Sequence, residues 1–199
     1  MPDSLKVYRA ELHVHTVLSP CADIAMIPPI IVDEAIDKKI DIIAITDHNS
    51  SANIESVIKA AEGKNLAILP GMELQTKEEI HILCLFDHVD QINQLQRYVD
   101  ESLPAIQNNI DFFGEQFIVD ESGSFIRRED RLLIASANIP LSQAVEKVNQ
   151  LGGIAIPAHV DQKTFGLIYV LGLIPSDVNF SALEISRHTT PQQAINQFP

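Results

Sequence analysis

The chain has 199 residues, of which 46% are hydrophobic, and it carries a formal net charge of −13 at pH 7. This length and apolar content suffice for one domain with a substantial core. The negative charge argues against long duplex DNA or RNA as the main partner, because binding such polymers needs many basic side chains. It is compatible with a small phosphorylated substrate.

The cysteine content and the first residues indicate a cytoplasmic protein. Cys21 and Cys84 are the only cysteines, too few for a secreted domain held together by disulfides. The N-terminal segment lacks the basic start and apolar stretch of a signal peptide. No segment approaches the ~18 apolar residues of a membrane span. We therefore expect no membrane partner, and the oligomeric state is left open.

The first 87 residues alternate between strand-like and helix-like patterns. Polar and apolar residues alternate over 6–15, which predicts a strand with His13 and His15 on one face. Pro28 and Pro29 can open a helix that runs to about residue 40. Further strands are predicted at 41–46, 66–69 and 80–86, and Asn53 is expected to cap a helix between the first two of these.

The alternation stops after residue 87, and residues 88–140 are interpreted as an inserted cap segment. This segment is predicted to hold a helix over 91–110, interrupted by Pro104, and a hairpin over 116–127 that turns at 121–123. Regular alternation resumes with a helix over 141–151, a strand over 154–157, a weak helix over 163–171 and a strand over 180–185. Residues 1–87 and 141–199 therefore form one discontinuous α/β domain, expected to have parallel strands in a barrel or an open sheet.

Histidines and acids lie at the ends of these predicted strands. They are His13, His15, Asp47, His48, Glu73, His81, His159 and Glu184. Each has an ordinary explanation as a turn residue or a hydrogen-bonded core residue. Taken together at the carboxyl edge of an α/β sheet, they form a set of metal ligands.

Other residues near the predicted site have two interpretations each. Asp23 could add a carboxylate ligand or belong to the turn before the helix. Cys21 is a possible ligand or a small buried thiol. Arg187 could bind phosphate or lie on the surface. His88 and His188 are expected on the surface and in a loop.

The ligand motifs, in chain order, resemble those of the polymerase and histidinol phosphatase (PHP) superfamily of metal-dependent phosphoesterases. They are His13-Val14-His15, Thr46-Asp47-His48-Asn49, Gly71-Met72-Glu73, His81 and Pro157-Ala158-His159. The resemblance implies a distorted (β/α)7 barrel with two or three divalent ions at its strand ends. Mn, Zn and Fe all suit the mixed histidine and carboxylate ligands.

By this resemblance, His13, His15 and Glu73 would hold one ion. Glu73 would bridge to a second ion held by His81 and His159. His48, with Asp23 as its candidate partner, would contribute to a third.

The chain departs from the family pattern at its end. The Asp-x-His motif that usually completes the site is absent, and the chain ends soon after the predicted strand at 180–185. We interpret this as truncation, with a barrel incomplete at its C-terminus. The alternative is a degenerate site.

The favoured hypothesis is hydrolysis of a phosphate monoester or terminal phosphodiester, of a nucleotide, a short oligonucleotide end or a phosphorylated metabolite, through a metal-activated water. Asp47 and His48 are the predicted catalytic residues, with Asp47 orienting His48 or transferring a proton. A non-catalytic, metal-binding scaffold is the first alternative. A metal-dependent amidohydrolase is the second, disfavoured because no lysine ends a predicted strand.

Overall fold

The structure is a computed structural model that describes residues 6–197. In chain order its elements are β1 Ala10–Val14, α1 Pro28–Asp37, β2 Ile42–Ile45, α2 Ile54–Ala60, β3 Ala67–Gln75, β4 His81–Leu85, α3 Val89–Ser102, α4 Ile110–Phe113, β5 Phe117–Val119, β6 Phe125–Arg128, α5 Leu141–Gln150, β7 Ile154–Pro157, α6 Leu167–Leu171 and α7 Pro191–Gln197. Most predicted elements are thus present with shifted bounds. None of the helices in 6–197 is both long and apolar enough to cross a membrane.

Five strands form a mixed sheet in the order β1-β2-β3-β4-β7. Strands β1, β2 and β3 are parallel, but β4 runs antiparallel to both β3 and β7. The prediction of a wholly parallel sheet was wrong at β4. Only residues 76–80 join β3 to β4, and a parallel crossover needs about a dozen residues or more. The chain therefore turns back as a hairpin.

The predicted strand at 180–185 is not formed. This segment nevertheless lies beside the end of β7, because Glu184 N–H donates to the Pro157 carbonyl at 3.0 Å and Val160 N–H donates to the Glu184 carbonyl at 2.9 Å. Without that strand, the sheet of the described residues has five strands. A mixed α/β fold is therefore established, and the full (β/α)7 barrel is not confirmed.

Strand β3 is longer than the predicted 66–69 and continues through Pro70 and Gly71 to Gln75. Gly71 does not form a turn. A Cβ atom there would lie 2.8 Å from Thr46 Cγ2 and 3.1 Å from the Ile45 carbonyl oxygen, so only glycine fits beside the end of β2. Because the strand continues, Glu73 lies inside it, where its position is fixed by the sheet.

The segment 88–140 contributes to the main hydrophobic core. On α3, Ile92, Leu95 and Val99 are fully buried within that core. The helix ends at Ser102, before Pro104, and so is shorter than predicted. The predicted hairpin is confirmed as the two-stranded sheet of β5 and β6. A role for this segment as a cap over a substrate stays a prediction.

Candidate metal centre

The carboxylate of Glu73 lies at the centre of five histidine rings. Its side chain is 1% exposed. The contacts with its two oxygens are His13 Nε2 at 3.2 Å, His15 Nε2 at 3.3 Å, His48 Nδ1 at 3.1 Å, His81 Nδ1 at 2.8 Å and His159 Nε2 at 3.3 Å. The structure thus brings together all five histidines that the sequence placed in the site. Asp23 is the predicted ligand that it leaves outside.

The strands explain this convergence. His13 lies within β1 and His15 directly follows it, while a register shift between Glu11 and Val14 bends β1 against β2. The chain after β2 continues beside β3, where His48 pairs with Glu73 as an isolated parallel bridge. His81 begins β4. Neighbouring strands therefore present these rings at one edge of the sheet.

Asn49 follows His48 and joins three parts of the fold. Its backbone has a φ of 49°, a left-handed conformation that asparagine tolerates. Its side-chain amide donates to the Leu133 and Ala135 carbonyls at 2.7 and 2.9 Å, and its side-chain oxygen accepts from Gln75 N–H at 3.0 Å. Asn49 therefore holds the segment at 133–135 against β3 beside the site.

Asp47 acts on the loop after β1. Its carboxylate accepts from the Thr16 N–H, the Thr16 hydroxyl and the Ser19 hydroxyl, each at 2.7 Å. Ser19 Oγ in turn lies 3.2 Å from His15 Nδ1 and accepts the His48 N–H at 3.1 Å. Through Ser19, the buried Asp47 carboxylate therefore contacts both the His15 ring and the His48 backbone. Its role in orienting His48 or in transferring a proton stays a prediction.

Glu184 and Gln75 play the corresponding part for two other histidines. Glu184 lies 3.0 Å from His13 Nδ1 and accepts the His159 N–H at 2.8 Å. The Gln75 side-chain oxygen lies 3.1 Å from His81 Nε2. Each partner can accept the proton of the ring nitrogen that faces away from Glu73. When a metal ion replaces the proton on the nitrogen that faces Glu73, that nitrogen would bind the ion through its lone pair.

The charges at this site are set by burial and by these contacts. Although burial opposes its ionisation, hydrogen bonds from His13, His15, His159 and His81 hold the pKa of Glu73 well below its usual range. Burial also disfavours a charged His13, but Glu184 and Glu73 outweigh it and raise the pKa of His13 to about 10.

The His48 ring behaves differently from His13. Burial lowers the pKa of His48 to about 3, and the nearby Glu73 carboxylate offsets only part of this effect. His48 is therefore a neutral imidazole, the form that binds metals.

This donor set fits divalent metal ions. Imidazole nitrogens surround an ionised, buried carboxylate, which is the ligand chemistry of Mn, Fe and Zn sites. In addition, the buried Nδ1 atom of His159 has no hydrogen-bond partner among the described residues. An unpaired buried polar atom is costly, and a bound cation would remove that cost. Two clusters meet the spacing for an ion around Glu73, one with His13 and His15 and one with His48 and His81.

His159 is held in a strained conformation. Its φ of 32° lies in the left-handed region, which is uncommon for a residue with a side chain. The Glu184 contact to its N–H helps to keep it there. Next to it, Phe165 stacks on His81 with ring centroids 4.4 Å apart. Strained residues of this kind are found preferentially at functional sites.

The predicted ligand Asp23 is exposed and accepts the Ala25 N–H at 2.8 Å. Its carboxylate belongs to the turn that approaches α1, which was the other interpretation of this residue. Its predicted role as a partner of His48 in a metal site stays a prediction. Cys21, two residues earlier in this loop, lies close to His15 and His48.

A cavity of about 490 Å³ opens beside the histidines. It is lined by Glu11, His13, His15, His159, Gln162, Glu184, Ile185, Ser186, Arg187 and His188. Arg187 is exposed at this opening, consistent with its predicted role as a phosphate ligand, which stays a prediction. His188 lies in a turn, as expected, and also lines the cavity.

Comparisons with known proteins agree with this architecture. The family model of the PHP domain matches residues 11–139. No curated protein sequence matches the chain. Among solved structures, the lesion-specific endonuclease Q from Pyrococcus furiosus is similar with a TM-score of 0.70 and 17% identity over 92% of this chain and 43% of that one. A complex of endonuclease Q with a 27-mer duplex substrate bearing an abasic lesion has a TM-score of 0.66 and 19% identity, over 88% and 42% of the two chains.

Two bacterial proteins are similar over more of their own length. A protein assigned as a metal-dependent phosphoesterase from Bifidobacterium adolescentis has a TM-score of 0.61 and 16% identity, over 96% of this chain and 82% of that one. An amidohydrolase from Chromobacterium violaceum, with bound sulfate and no metal, has a TM-score of 0.61 and 18% identity, over 96% and 81%. At these identities the likeness shows a shared fold. The chain spans less than half the length of the endonuclease Q chains.

Proposed function

Because this chain belongs to the PHP domain family, we propose that it is a metal-dependent phosphoesterase whose centre is built on Glu73. The observation that carries the proposal is the convergence of five imidazole rings on one buried, ionised carboxylate. When bound, divalent ions supply Lewis acidity towards phosphate oxygens and water.

In such a centre, different residues of this chain would bind the ions, orient the ligands and accept a proton. His13 and His15, with Glu73, would hold one ion, and His81 and His159 would hold a second through the same carboxylate. Glu184 and the pair of Asp47 and Ser19 keep ring nitrogens pointed at Glu73. The neutral His48 is available as a ligand or as a proton acceptor at the edge of the centre.

The cavity favours a small phosphorylated substrate. Its volume of about 490 Å³ lies in the range of small-molecule sites, ≈ 300–1,000 Å³. Arg187 is the single arginine or lysine among its lining residues and is placed to bind a phosphate oxygen. The sulfate bound to the Chromobacterium relative is a tetrahedral oxyanion like phosphate. A nucleotide, an oligonucleotide end or a phosphorylated metabolite all fit these requirements.

The rival functions find less support. A non-catalytic scaffold has no need for a cavity beside the cluster or for an arginine at its opening. An amidohydrolase of the type considered above would use a lysine between two metals, and Glu73 occupies that bridging position here. A long duplex, as in the endonuclease Q complex, is disfavoured by the net charge of −13.

The test is phosphate release from a panel of nucleoside monophosphates, short 5′-phosphorylated oligonucleotides and sugar phosphates with added Mn²⁺ or Zn²⁺. We expect turnover of at least one small ester, and loss of that turnover on chelation. A 27-mer duplex with an abasic site and an N-acyl amino acid are assayed separately as the substrates expected for the rival functions. If only the duplex or only the amide is cleaved, the proposal is wrong.

Arg187→Ala provides the matched variant. Removing one exposed charged hydrogen bond to phosphate should raise KM by about tenfold, equivalent to ~1.4 kcal/mol. Metal content should stay unchanged, because no ligand is lost. The control is Arg97→Ala, on α3 and away from the cavity lining. If Arg187→Ala and Arg97→Ala have equal KM values, Arg187 does not bind the substrate.

A further inference from the structure

His188 lies at the opening of the cavity beside the Glu73 cluster. Five of the seven histidines contact the Glu73 carboxylate, which leaves His88 and His188 outside the cluster. Of these two, His188 is the one that lines the cavity. Its side chain is exposed, so its ring can reach a molecule that enters the cavity from solvent.

The turn that carries His188 is anchored by hydrogen bonds. Asp161 accepts from the Ser186 N–H and from the Ser186 hydroxyl, each at 2.7 Å. The Ser186 hydroxyl oxygen accepts the His188 N–H at 3.3 Å, and the Ser186 carbonyl accepts the Thr189 N–H at 3.1 Å. The backbone of His188 therefore has a defined position at the opening.

We propose that His188 is a further catalytic residue, the general acid that protonates the leaving group of the phosphate ester. This inference rests on the proposed function. The ester P–O bond breaks with its electron pair passing to the leaving oxygen, which takes the N–H proton of the protonated His188 ring. The new P–O bond forms to the oxygen of water, whose proton passes to solvent, and His188 then regains a proton from solvent.

In-line displacement at phosphorus sets where such an acid must lie. The attacking and leaving oxygens lie on opposite sides of the phosphorus atom. Since the Glu73 cluster would hold the phosphate and the attacking water, the leaving oxygen points away from the cluster, towards the opening. His188 lies on that side, in the turn next to Arg187.

Three polar neighbours of His188 in the cavity lining are poor proton donors. The Ser186 hydroxyl already donates to Asp161. The guanidinium of Arg187 stays protonated, and the amide of Gln162 has no acidic proton. Imidazole, in contrast, is the side chain that most often serves as a general acid.

The two carboxyl groups of the lining act as acceptors. Glu11 accepts the His13 N–H at 3.3 Å, and Glu184 accepts the His159 N–H at 2.8 Å. Although burial opposes its ionisation, hydrogen bonds from His13 and His159 hold the pKa of Glu184 below its usual range. His188 is therefore the lining group outside the cluster that is best suited to donate a proton.

Two esters of similar size test this role with added Mn²⁺ or Zn²⁺, benzyl phosphate and p-nitrophenyl phosphate. Benzyl alkoxide is a strong base that needs a proton to leave, whereas p-nitrophenolate is a weak base that leaves without one. His188→Gln should lower kcat for benzyl phosphate by about 10²- to 10⁴-fold, the usual contribution of general acid catalysis, and leave kcat for p-nitrophenyl phosphate nearly unchanged. Loss of a side chain that only supports the fold would affect both esters alike.

Two further variants serve as controls. His88→Gln changes the other histidine outside the cluster and should leave both kcat values unchanged. Arg187→Ala should raise KM for both esters by the same factor, because both present the same phosphate group. Metal content should stay at the wild-type level in His188→Gln, because the five rings that contact Glu73 are retained.

The outcomes separate this proposal from the proposed function. If His188→Gln lowers kcat for both esters equally, or for neither, His188 is not the general acid, while the phosphoesterase assignment stands. Wild-type turnover of only one of the two esters, or of neither, would also overturn the role of His188, because an intact general acid should permit both. Turnover of no phosphate ester at all, in this pair or in the larger panel, would overturn the proposed function as well.

Discussion

The two sides of the Glu73 cluster are held in different ways. On one side, His13, His48 and His81 lie on or directly beside strands β1, β2 and β4, and Glu73 lies inside β3. Register within the sheet fixes these residues, and most of the strand residues around them are buried. We call this the strand side.

On the other side, His159, Glu184 and Arg187 lie in irregular segments after β7. Glu184 contacts His13 and the His159 N–H, and Asp161 accepts from the Ser186 N–H and hydroxyl at 2.7 Å each. A few hydrogen bonds and one strained residue therefore hold this loop side in place.

The two sides should therefore differ in how strongly a bound metal ion orders them. The strand side is fixed by backbone pairing that exists without an ion. The loop side completes the centre only while its hydrogen bonds persist, so a bound ion should stabilise it.

Glu73→Gln should have the largest effect, because Glu73 is shared by both sides. Replacing the ionised carboxylate removes the only acid within residues 6–197 that all five histidines contact. We expect metal affinity to fall by more than the ~100-fold typical of losing an outer partner of a ligand. Elemental analysis after dialysis measures it, with His88→Ala as the control because His88 is exposed and is not one of the histidines that contact Glu73. Equal metal content in both variants would contradict the account.

Metal removal should loosen the loop side first. Trypsin can cut after the exposed Lys163 and Arg187, and Lys64, between α2 and β3, reports on the strand side. At a metal concentration of 100 times Kd, tryptic cleavage that requires the site to open should be about 100-fold slower than without metal. Cutting at Lys64 should change less. Mass spectrometry of the fragments gives both rates, and equal protection at the three positions would remove the distinction between the sides.

Glu184→Gln should have an intermediate effect. The amide keeps the size of the side chain but loses the charge that fixes His13 and the His159 backbone. We expect a ~10–100-fold loss of metal affinity, with the strand side intact by circular dichroism. Gln162→Ala, which changes another residue of the cavity wall without a contact to a histidine ring, is the control. If Glu184→Gln binds metal like the wild type, the loop side does not position the ligands.

Removing the charge of Asp120 should have the smallest effect, because this carboxylate holds a turn that lies outside the metal centre. It accepts from the Ser122 and Ser124 N–H groups at 2.9 Å, and the contacts with Ser122 and Ser124 hold its pKa below the usual range. Its stabilisation is therefore present above the ordinary carboxyl pKa of about 3.9 and is lost as pH falls through the lower folded value. An NMR pH titration of the two serine amides should show this. Asp120→Asn should abolish the titration and leave metal content unchanged. A midpoint at or above about 3.9 would contradict the assignment.

The strand side could be predicted from the sequence because its signals are local. A polar ligand in or next to a strand-like segment appears as such in the sequence around His13, His48 and His81. The antiparallel direction of β4 was missed, although the short link at 76–80 carried that signal. The continuation of β3 was missed because Pro70 and Gly71 are typical of a turn, whereas here Gly71 serves close packing against Thr46.

The loop side could not be predicted in the same way. The contact between His13 and Glu184 spans 171 residues, and no periodic pattern encodes it. The choice between Cys21 and Asp23 depends on how one loop turns, which neither residue type determines. The hydrogen bonds of Asp47 with Thr16 and Ser19 could not be predicted either, because adjacency in sequence to His48 says little about where a buried carboxylate points.

Anomalous X-ray diffraction from crystals grown with Mn²⁺ or Zn²⁺ would locate the bound ions relative to the Glu73 carboxylate. We expect anomalous peaks on both sides of this carboxylate, each at about 2.0–2.2 Å from one of its oxygens. One peak should lie towards His13 and His15, and the other towards His81 and His159. Bound metal with no peak at Glu73 would contradict the claim that this carboxylate organises the site.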